Sequence, residues 1–331
     1  MKLKSLKIMV TGGAGFIGSH LAESLAADNE VVVVDDFSIG SMENLAKVSD
    51  LANVRIMEAD ITNRGQMFEV VKGIDVVYHL AISCLRTSLN HPVLSHDINA
   101  GGTLNLCLAA REHGVKRFIY CSSSEVYGTA QSVPMCESHP CEPTTVYGAS
   151  KLAGERYALA CWRTYGLPVV VVRPFNTYGP REPYVGSRAE VIPRFMLQLQ
   201  AGRQPVIYGD GSQTRDFTFV EETAQGLMLA GECDELVGDV INVAYGQEVS
   251  VSRIAELLMT MTGTTHIGVR HAEGRPGDVL RHFADISKAR RLLRFEPKVD
   301  IKTGLARHLE WFHEQKIGQR LSTQDAGLPN W

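Results

Sequence analysis

A phenol and an ammonium stand four residues apart in Tyr147-Gly-Ala-Ser-Lys151, a spacing that brings both to one face of a helix. A phenol with an ordinary pKa near ~10 is a poor base at neutral pH, and a neighbouring cation favours its anion. Such a pair can take the proton of a sugar hydroxyl while a hydride leaves the same carbon. The spacing also occurs on ordinary exposed helix faces, so its weight depends on its surroundings. Upstream runs Cys121-Ser122-Ser123-Ser124-Glu125-Val126-Tyr127-Gly128. A serine hydroxyl there is suited to bond the reacting oxygen and share its proton with Tyr147, while the other serines satisfy their own turn. Glu125 reads either as an acid/base or as a residue that fixes the loop.

A second segment points to a partner that would accept the hydride. Thr11-Gly-Gly-Ala-Gly-Phe-Ile-Gly18 follows an apolar run and opens a helical pattern. Gly12 permits a tight turn, Gly15 a close backbone approach to a pyrophosphate, and Gly18 close packing of helix on sheet. The helix N-terminus adds free N–H groups and the positive end of its dipole. Asp35 and Asp36 end the next apolar run, 17 residues beyond Gly18. A carboxylate there accepts ribose hydroxyls and repels a 2′-phosphate, which favours NAD over NADP. Asp60, after the third run, is placed to meet an adenine amino group or to sit in a solvated loop.

These residues need a frame to hold them. Short β-branched runs predict strands at Lys7–Thr11, Val31–Asp35, Val54–Glu58, Asp75–His79, Arg117–Ser122 and Pro168–Arg173. The runs lack polar alternation, as parallel strands covered on both faces do. Helical patterns at Phe16–Ala27 and Ala100–His113 alternate with them, the second stopped by Gly114. The expectation is an α/β fold with a doubly wound parallel sheet and right-handed crossovers. After Pro174 the alternation loosens. The helix at Ser250–Met261 carries Val251, Ile254, Leu257, Leu258 and Met261 on one face, with Gly263 behind it. We read residues 1–173 with about 216–246 as a dinucleotide-binding domain. Residues 174–215 with about 247–314 read as a smaller α/β substrate-binding domain, and 315–331 as a polar tail.

Composition narrows the function classes. A chain of 331 residues with 44% hydrophobic and 21% charged residues folds into a large core without staples. A net charge of −4 without any Lys/Arg block argues against nucleic-acid or anionic-membrane partners. No apolar run reaches the ~18 residues of a membrane span. Seven scattered cysteines with no C-x-x-C pair suit a reducing cytoplasm better than a disulfide framework or a zinc site, and no metal is expected.

Together these segments resemble the extended short-chain dehydrogenases/reductases, specifically the NAD-dependent nucleotide-sugar epimerase/dehydratase family, and most of all its UDP-hexose 4-epimerases. The resemblance runs from about Lys7 to Phe312. It adds H-L-A at 79–81, N-A-G-G-T at 99–103, R-P-F-N-T-Y-G-P-R at 173–181, Y-G-D-G-S-Q-T-R-D-F at 208–217 and R-P-G-D at 275–278 to the motifs above. It implies a Rossmann-type sheet. Around NAD it implies Gly12, Gly15, Phe16, Ile17 and Gly18, then Asp35, Asp36, Asp60 and Ile61. Leu80, Ala81, Asn99, Ser122, Tyr147 and Lys151 complete that set. Ser123 matches the family's catalytic hydroxyl and Tyr147 its base, with Lys151 and Glu125 beside them. For a UDP-sugar substrate it implies Ser123, Ser124, Tyr147, Asn176 and Val191, with Tyr208 near the uracil. Arg215 and Arg275 would hold the diphosphate with forked donors, and Asp278 the nucleoside ribose. A homodimer is expected through the helices at Ala100–His113 and Tyr147.

Members of this family share a first step, oxidation at carbon 4, and differ in the fate of the 4-keto sugar. An epimerase returns hydride to the other face; a 4,6-dehydratase eliminates water; a uronate decarboxylase loses carbon dioxide. The R-P-G-D and Y-G-D-G-S-Q-T-R-D-F segments resemble the epimerases, and we expect a NAD-dependent UDP-hexose 4-epimerase. Glu125 is the dissenting residue, because S-E-V-Y-G resembles dehydratases and decarboxylases. The dehydratase Asp-Glu pair is absent, since Ser124 precedes Glu125. His282 is expected to limit bulk at sugar carbon 2, and Cys84 to be a small buried residue.

Overall fold

The computed structural model describes residues 1–274 and 279–317. In the first half, strands β1 (Lys7–Thr11), β2 (Glu30–Asp35), β3 (Val54–Glu58), β4 (Val76–His79), β5 (Arg117–Cys121) and β6 (Val169–Pro174) alternate with helices. These are α1 (Phe16–Leu25), α2 (Arg64–Val70), α3 (Leu85–Asn90), α4 (Pro92–His96), α5 (Thr103–Glu112) and α6 (Val146–Tyr165). The second half carries β7 (Asn176–Tyr178), α7 (Val191–Gln200), β8 (Val206–Tyr208), β9 (Thr214–Phe219), α8 (Val220–Glu232) and β10 (Val240–Val243). It closes with β11 (Glu248–Ser250), α9 (Val251–Met261), β12 (Arg270–Ala272), β13 (Arg281–His282), α10 (Ser287–Leu293) and α11 (Ile301–Glu314).

Seven parallel strands form the main sheet in the order β10-β6-β5-β4-β1-β2-β3. The winding direction reverses between β1 and β4, and a crevice opens beyond the carboxyl ends of the strands at such a reversal. The unbroken valine runs follow from burial on both sides. Val31 and Val33 enter one core with Leu21 of α1 and Leu227 of α8, whereas Val32 and Val34 enter the other with Leu106 of α5 and Leu159 of α6. Each such side chain contributes roughly 1.5–3 kcal/mol on burial. A one-residue slip would exchange the faces without exposing either, so here the turns and glycines fix the register.

A third core stands apart from the sheet, built from Phe195 of α7, Ile254 and Leu258 of α9, and Leu305 and Phe312 of α11. Small sheets flank it: β9 pairs with β7, β11 and β13, and β8 with β12. The face anticipated on α9 is buried at Val251, Ile254, Leu257 and Leu258, with Met261 at its edge. Ile317 is fully buried in this core, so the anticipated polar tail begins inside it; residues 318–331 lie outside the described residues.

Element ends differ from the sequence reading for local reasons. Helix α1 stops at Leu25 rather than Ala27, where the Asn29 amide donates to the Leu25 carbonyl at 3.0 Å. The pattern read as Ala100–His113 starts earlier as a π-turn over Asp97–Gly102, where the Thr103 hydroxyl donates to the Asn99 carbonyl at 2.7 Å. Among the described residues, no helix is long and apolar enough to cross a membrane, and no cluster of three His, Cys, Asp or Glu is arranged to hold a metal.

Candidate active site

The crevice holds a cavity of about 390 Å³ whose walls come from both halves of the chain. At one end the glycine loop lies bare. A Cβ on Gly18 would stand 2.1 Å from the Gly12 carbonyl oxygen, and one on Gly12, at φ +67°, would stand 2.6 Å from the Ala81 amide nitrogen. Only glycine brings α1 and the β4 edge this near. Gly15 caps α1 without any side-chain bond, and no acidic residue occupies the first turn; the helix N-terminus is therefore left to bind an anion. Asp35 anchors this end: its carboxylate accepts the Ala14 and Phe37 amides, each at 2.9 Å, and burial raises its pKa. Asp36 and Asp60 also line the cavity, but their carboxylates are engaged in local turns with Ser38 and Thr62. A bare pyrophosphate-sized loop facing a fixed carboxylate fits a dinucleotide. Phe16, Ile17, Ile61, Leu80 and Ala81 complete this part of the wall.

His79 of the H-L-A motif locks the frame. Its ring bridges the Thr11 hydroxyl at 2.7 Å and the Thr103 hydroxyl at 2.9 Å, and burial lowers its pKa to about 3, keeping it neutral.

Helix α6 carries Tyr147 to the opposite end. The Thr145 hydroxyl caps it by accepting the Gly148 amide at 3.0 Å, and Gly166 at φ +74° ends it. A Cβ on Gly148 would lie 2.5 Å from the Glu125 carbonyl oxygen, so this glycine lets α6 press against the Ser122–Tyr127 turn. Tyr147, Ser122, Ser123, Ser124 and Glu125 all reach the cavity wall. Burial pushes the Tyr147 phenol well above its ordinary pKa; a hydrogen bond from Ser123 opposes this, and Cys121, Glu125 and Cys84 reinforce it.

Lys151 departs from the expected arrangement. Its ammonium lies behind the wall, donates to the Cys121 carbonyl at 2.7 Å and sits 4.4 Å above the Tyr120 ring. Burial lowers its pKa to about 8, against the partial support of Cys121 and Glu155. One turn on, Glu155 is fully buried and receives both Nε and Nη2 of Arg173, at 3.0 and 2.6 Å, and the Ser122 hydroxyl at 3.0 Å. Arg173 also lies 4.7 Å from the Tyr127 ring centroid. The serine turn is therefore pinned at both ends to β6 and α6.

Other anticipated residues fall into three groups. Asn176 and Val191 line the cavity, and the buried Asn176 Oδ1 has no protein partner. Asn99, Tyr208 and Arg215 do not line it. Asn99 is committed to Ser83, Ser95 and Ser150, which holds the 81–84 loop from below. Tyr208 ends β8 beside Ala272, and Arg215 donates to the Thr214 and Val279 carbonyls at 2.8 and 2.6 Å. Arg275 and Asp278 lie outside the described residues. His282, expected at the sugar, is instead buried against Phe175 with ring centroids 5.1 Å apart. Cys84 is half-buried on the cavity wall rather than sealed in the core. Glu182 and Glu190 line the cavity too, and nothing in their sequence neighbourhood distinguished them from surface acids.

Three comparisons bear on this geometry. The family model for GDP-mannose 4,6 dehydratase matches residues 9–308. A UDP-glucose 4-epimerase of Mycolicibacterium smegmatis is 34% identical over 316 residues, covering 94% of this chain and 99% of that protein. Among solved structures, the UDP-N-acetylglucosamine 4-epimerase from Methanobrevibacter ruminantium M1, in complex with UDP-N-acetylmuramic acid, superposes with a TM-score of 0.89 at 36% identity, covering 94% of this chain and 99% of that one. DesIV, a dTDP-glucose 4,6-dehydratase from Streptomyces venezuelae with NAD bound, superposes with a TM-score of 0.88 at 33% identity, over 94% and 98% of the two chains.

Proposed function

The chain belongs to the GDP-mannose 4,6-dehydratase-like family of short-chain dehydrogenases/reductases, and from that premise we propose that it is a NAD-dependent nucleotide-sugar 4-epimerase acting on a UDP-hexose. NAD would lie along Gly12–Gly18 with its ribose toward Asp35, and when bound it supplies a reversible hydride acceptor. Tyr147 takes the proton of the carbon 4 hydroxyl and returns it after the 4-keto sugar has turned about its diphosphate. Ser123 hydrogen-bonds that same oxygen and keeps the phenol aimed. Lys151 stays beneath them, where its charge favours the Tyr147 phenolate that accepts the sugar's proton and becomes the phenol. Asn176 offers its free Oδ1 as acceptor to a sugar hydroxyl. Arg215, with Arg275 and Asp278, is assigned to the nucleotide end.

The observation that carries the epimerase reading is that a serine, Ser124, and not a second acid precedes Glu125 on the cavity wall that also bears Tyr147 and Ser123. Elimination across carbons 5 and 6 needs both an acid and a base there. The same Glu125 supports a second reading, a 4,6-dehydratase or a uronate decarboxylase. NMR of products after incubation with NAD and UDP-glucose, UDP-N-acetylglucosamine or UDP-glucuronate separates them. Inversion at carbon 4 with carbon 6 intact is expected; a 4-keto-6-deoxy sugar or a pentose would move the assignment to the lyases.

We assign residues 1–173 with about 216–246 to the cofactor half and 174–215 with about 247–314 to the sugar half. We further propose a homodimer through α5 and α6; the exposed apolar side chains Tyr157 on α6 and Leu89, Val93 and Leu94 on α3 and α4 support an interface in this region. Light scattering checks it, with Val93→Glu expected to give monomers. The seven free thiols suit a cytoplasmic setting.

A further inference from the structure

Helix α6 carries Tyr147, Lys151 and Glu155 at successive i, i+4 positions, one face laid along the end of β5. The two elements touch closely. A Cβ on Gly154 would stand 2.5 Å from the Tyr120 hydroxyl, which donates to the Lys151 carbonyl at 3.0 Å. Tyr147 reaches the cavity wall that Ser123 shares. One turn behind it, Lys151 donates to the Cys121 carbonyl at 2.7 Å; two turns behind, Glu155 accepts the Ser122 hydroxyl at 3.0 Å. The helix therefore grips consecutive residues of the strand end that leads into Ser123.

Glu155 and Arg173 are both buried, and neither lines the cavity. Arg173 gives Nε and Nη2 to the Glu155 carboxylate at 3.0 and 2.6 Å, and Nη1 to the Glu137 carbonyl at 3.3 Å. Its guanidinium also lies 4.7 Å from the Tyr127 ring, whose hydroxyl donates to Asn242 Oδ1 at 2.7 Å. The turn that brings Ser123, Ser124 and Glu125 to the cavity is thus held at Ser122 by Glu155 and at Tyr127 by Arg173. A buried ion pair adds little net stability over apolar side chains of similar volume. Its hydrogen bonds are directional, and what they fix is where Ser122, and with it Ser123, stands against the phenol. Resting on the reading of Tyr147 as the base at carbon 4, we infer that Glu155 is a positioning residue. Its carboxylate, oriented by Arg173, takes the Ser122 hydroxyl and so sets Ser123 opposite Tyr147 for the proton transfer.

Two double variants separate this role from folding, because each removes the ion pair whole and leaves no unpaired charge in the core. Glu155→Gln with Arg173→Met keeps an amide oxygen for the Ser122 hydroxyl; Glu155→Met with Arg173→Met removes that acceptor. Both are compared with wild type by kcat and KM on the full chain with NAD, using whichever UDP-sugar the wild type converts, and by calorimetric NAD affinity. The second variant should lose about 100-fold in kcat, the cost of misplacing a reacting group by about 1 Å, with KM and NAD affinity within about threefold. The first should stay within about tenfold of wild type in kcat. Ser122→Ala breaks the same bond with the ion pair intact and should match the second variant, adding no further loss when combined with it. Equal kcat in the two double variants, a wild-type kcat in Ser122→Ala, or a loss that falls on NAD affinity in place of kcat overturns the inference. Should the second variant fail to fold, Ser122→Ala decides. If the wild type converts no UDP-sugar, the proposed activity falls and crystal structures of the variants decide. Ser123 is expected to shift against Tyr147 by about 1 Å in the second variant and to stay in place in the first; an unmoved Ser123 in both overturns the positioning role.

Discussion

Replacing Lys151 by Met should make the NAD-free protein more stable while disabling it. The ammonium is almost fully buried, with one carbonyl partner and one aromatic face. Lowering its pKa from 10.5 to about 8 corresponds to about 3 kcal/mol of disfavoured charge at neutral pH. Methionine fills a similar volume without charge but leaves the Cys121 carbonyl short of a donor, a loss of about 1 kcal/mol or somewhat more. The net expectation is a gain of about 1–2 kcal/mol at pH 7, read by urea unfolding of NAD-stripped protein. The pH dependence makes the test specific. Because the folded pKa lies below the unfolded one, the folded chain holds this proton less tightly. The penalty is therefore complete below about pH 8 and fades as pH rises toward 10.5. Between pH 7 and 9.5 the wild type should recover about 2 kcal/mol relative to the variant. A Met variant less stable at pH 7, or a gap that does not narrow with pH, would refute the claim that burial dominates at Lys151. Turnover should fall in the variant at both pH values.

Tyr147→Phe removes the proton acceptor while keeping the ring; kcat should fall about 10³-fold or more, with calorimetric UDP-sugar affinity within about threefold of wild type. Gly18→Ala forces a Cβ against the Gly12 carbonyl, so the loop must shift and NAD affinity, measured by calorimetry, should fall roughly 100-fold. Glu155→Gln leaves the buried Arg173 charge without its counter-ion, and urea unfolding should show a loss of about 3–5 kcal/mol. If that variant proves as stable as wild type, the pair is not what pins the serine turn.

Most of the secondary-structure elements were legible in the sequence. Valine runs without polar alternation mean strands covered on both faces, and the glycines at 12, 15 and 18 mean a turn that excludes side chains; both are local rules, legible wherever they occur. The spacing of Tyr147 and Lys151 likewise placed both on one helix. Local rules do not say where an ammonium ends. Only the packing of α6 on β5 turned Lys151 onto the Cys121 carbonyl and set Ser123 and the phenol on one cavity wall. The same holds for His282, buried against Phe175 by its pairing in β13, and for Asn99, absorbed by three serines. Glu182 and Glu190 were invisible as site residues because their meaning depends on a loop some hundred positions away: Arg86 reaches Glu190 only after the two halves of the chain close on one crevice. Burial and long-range charge pairing are properties of that closure, and no window of sequence contains them.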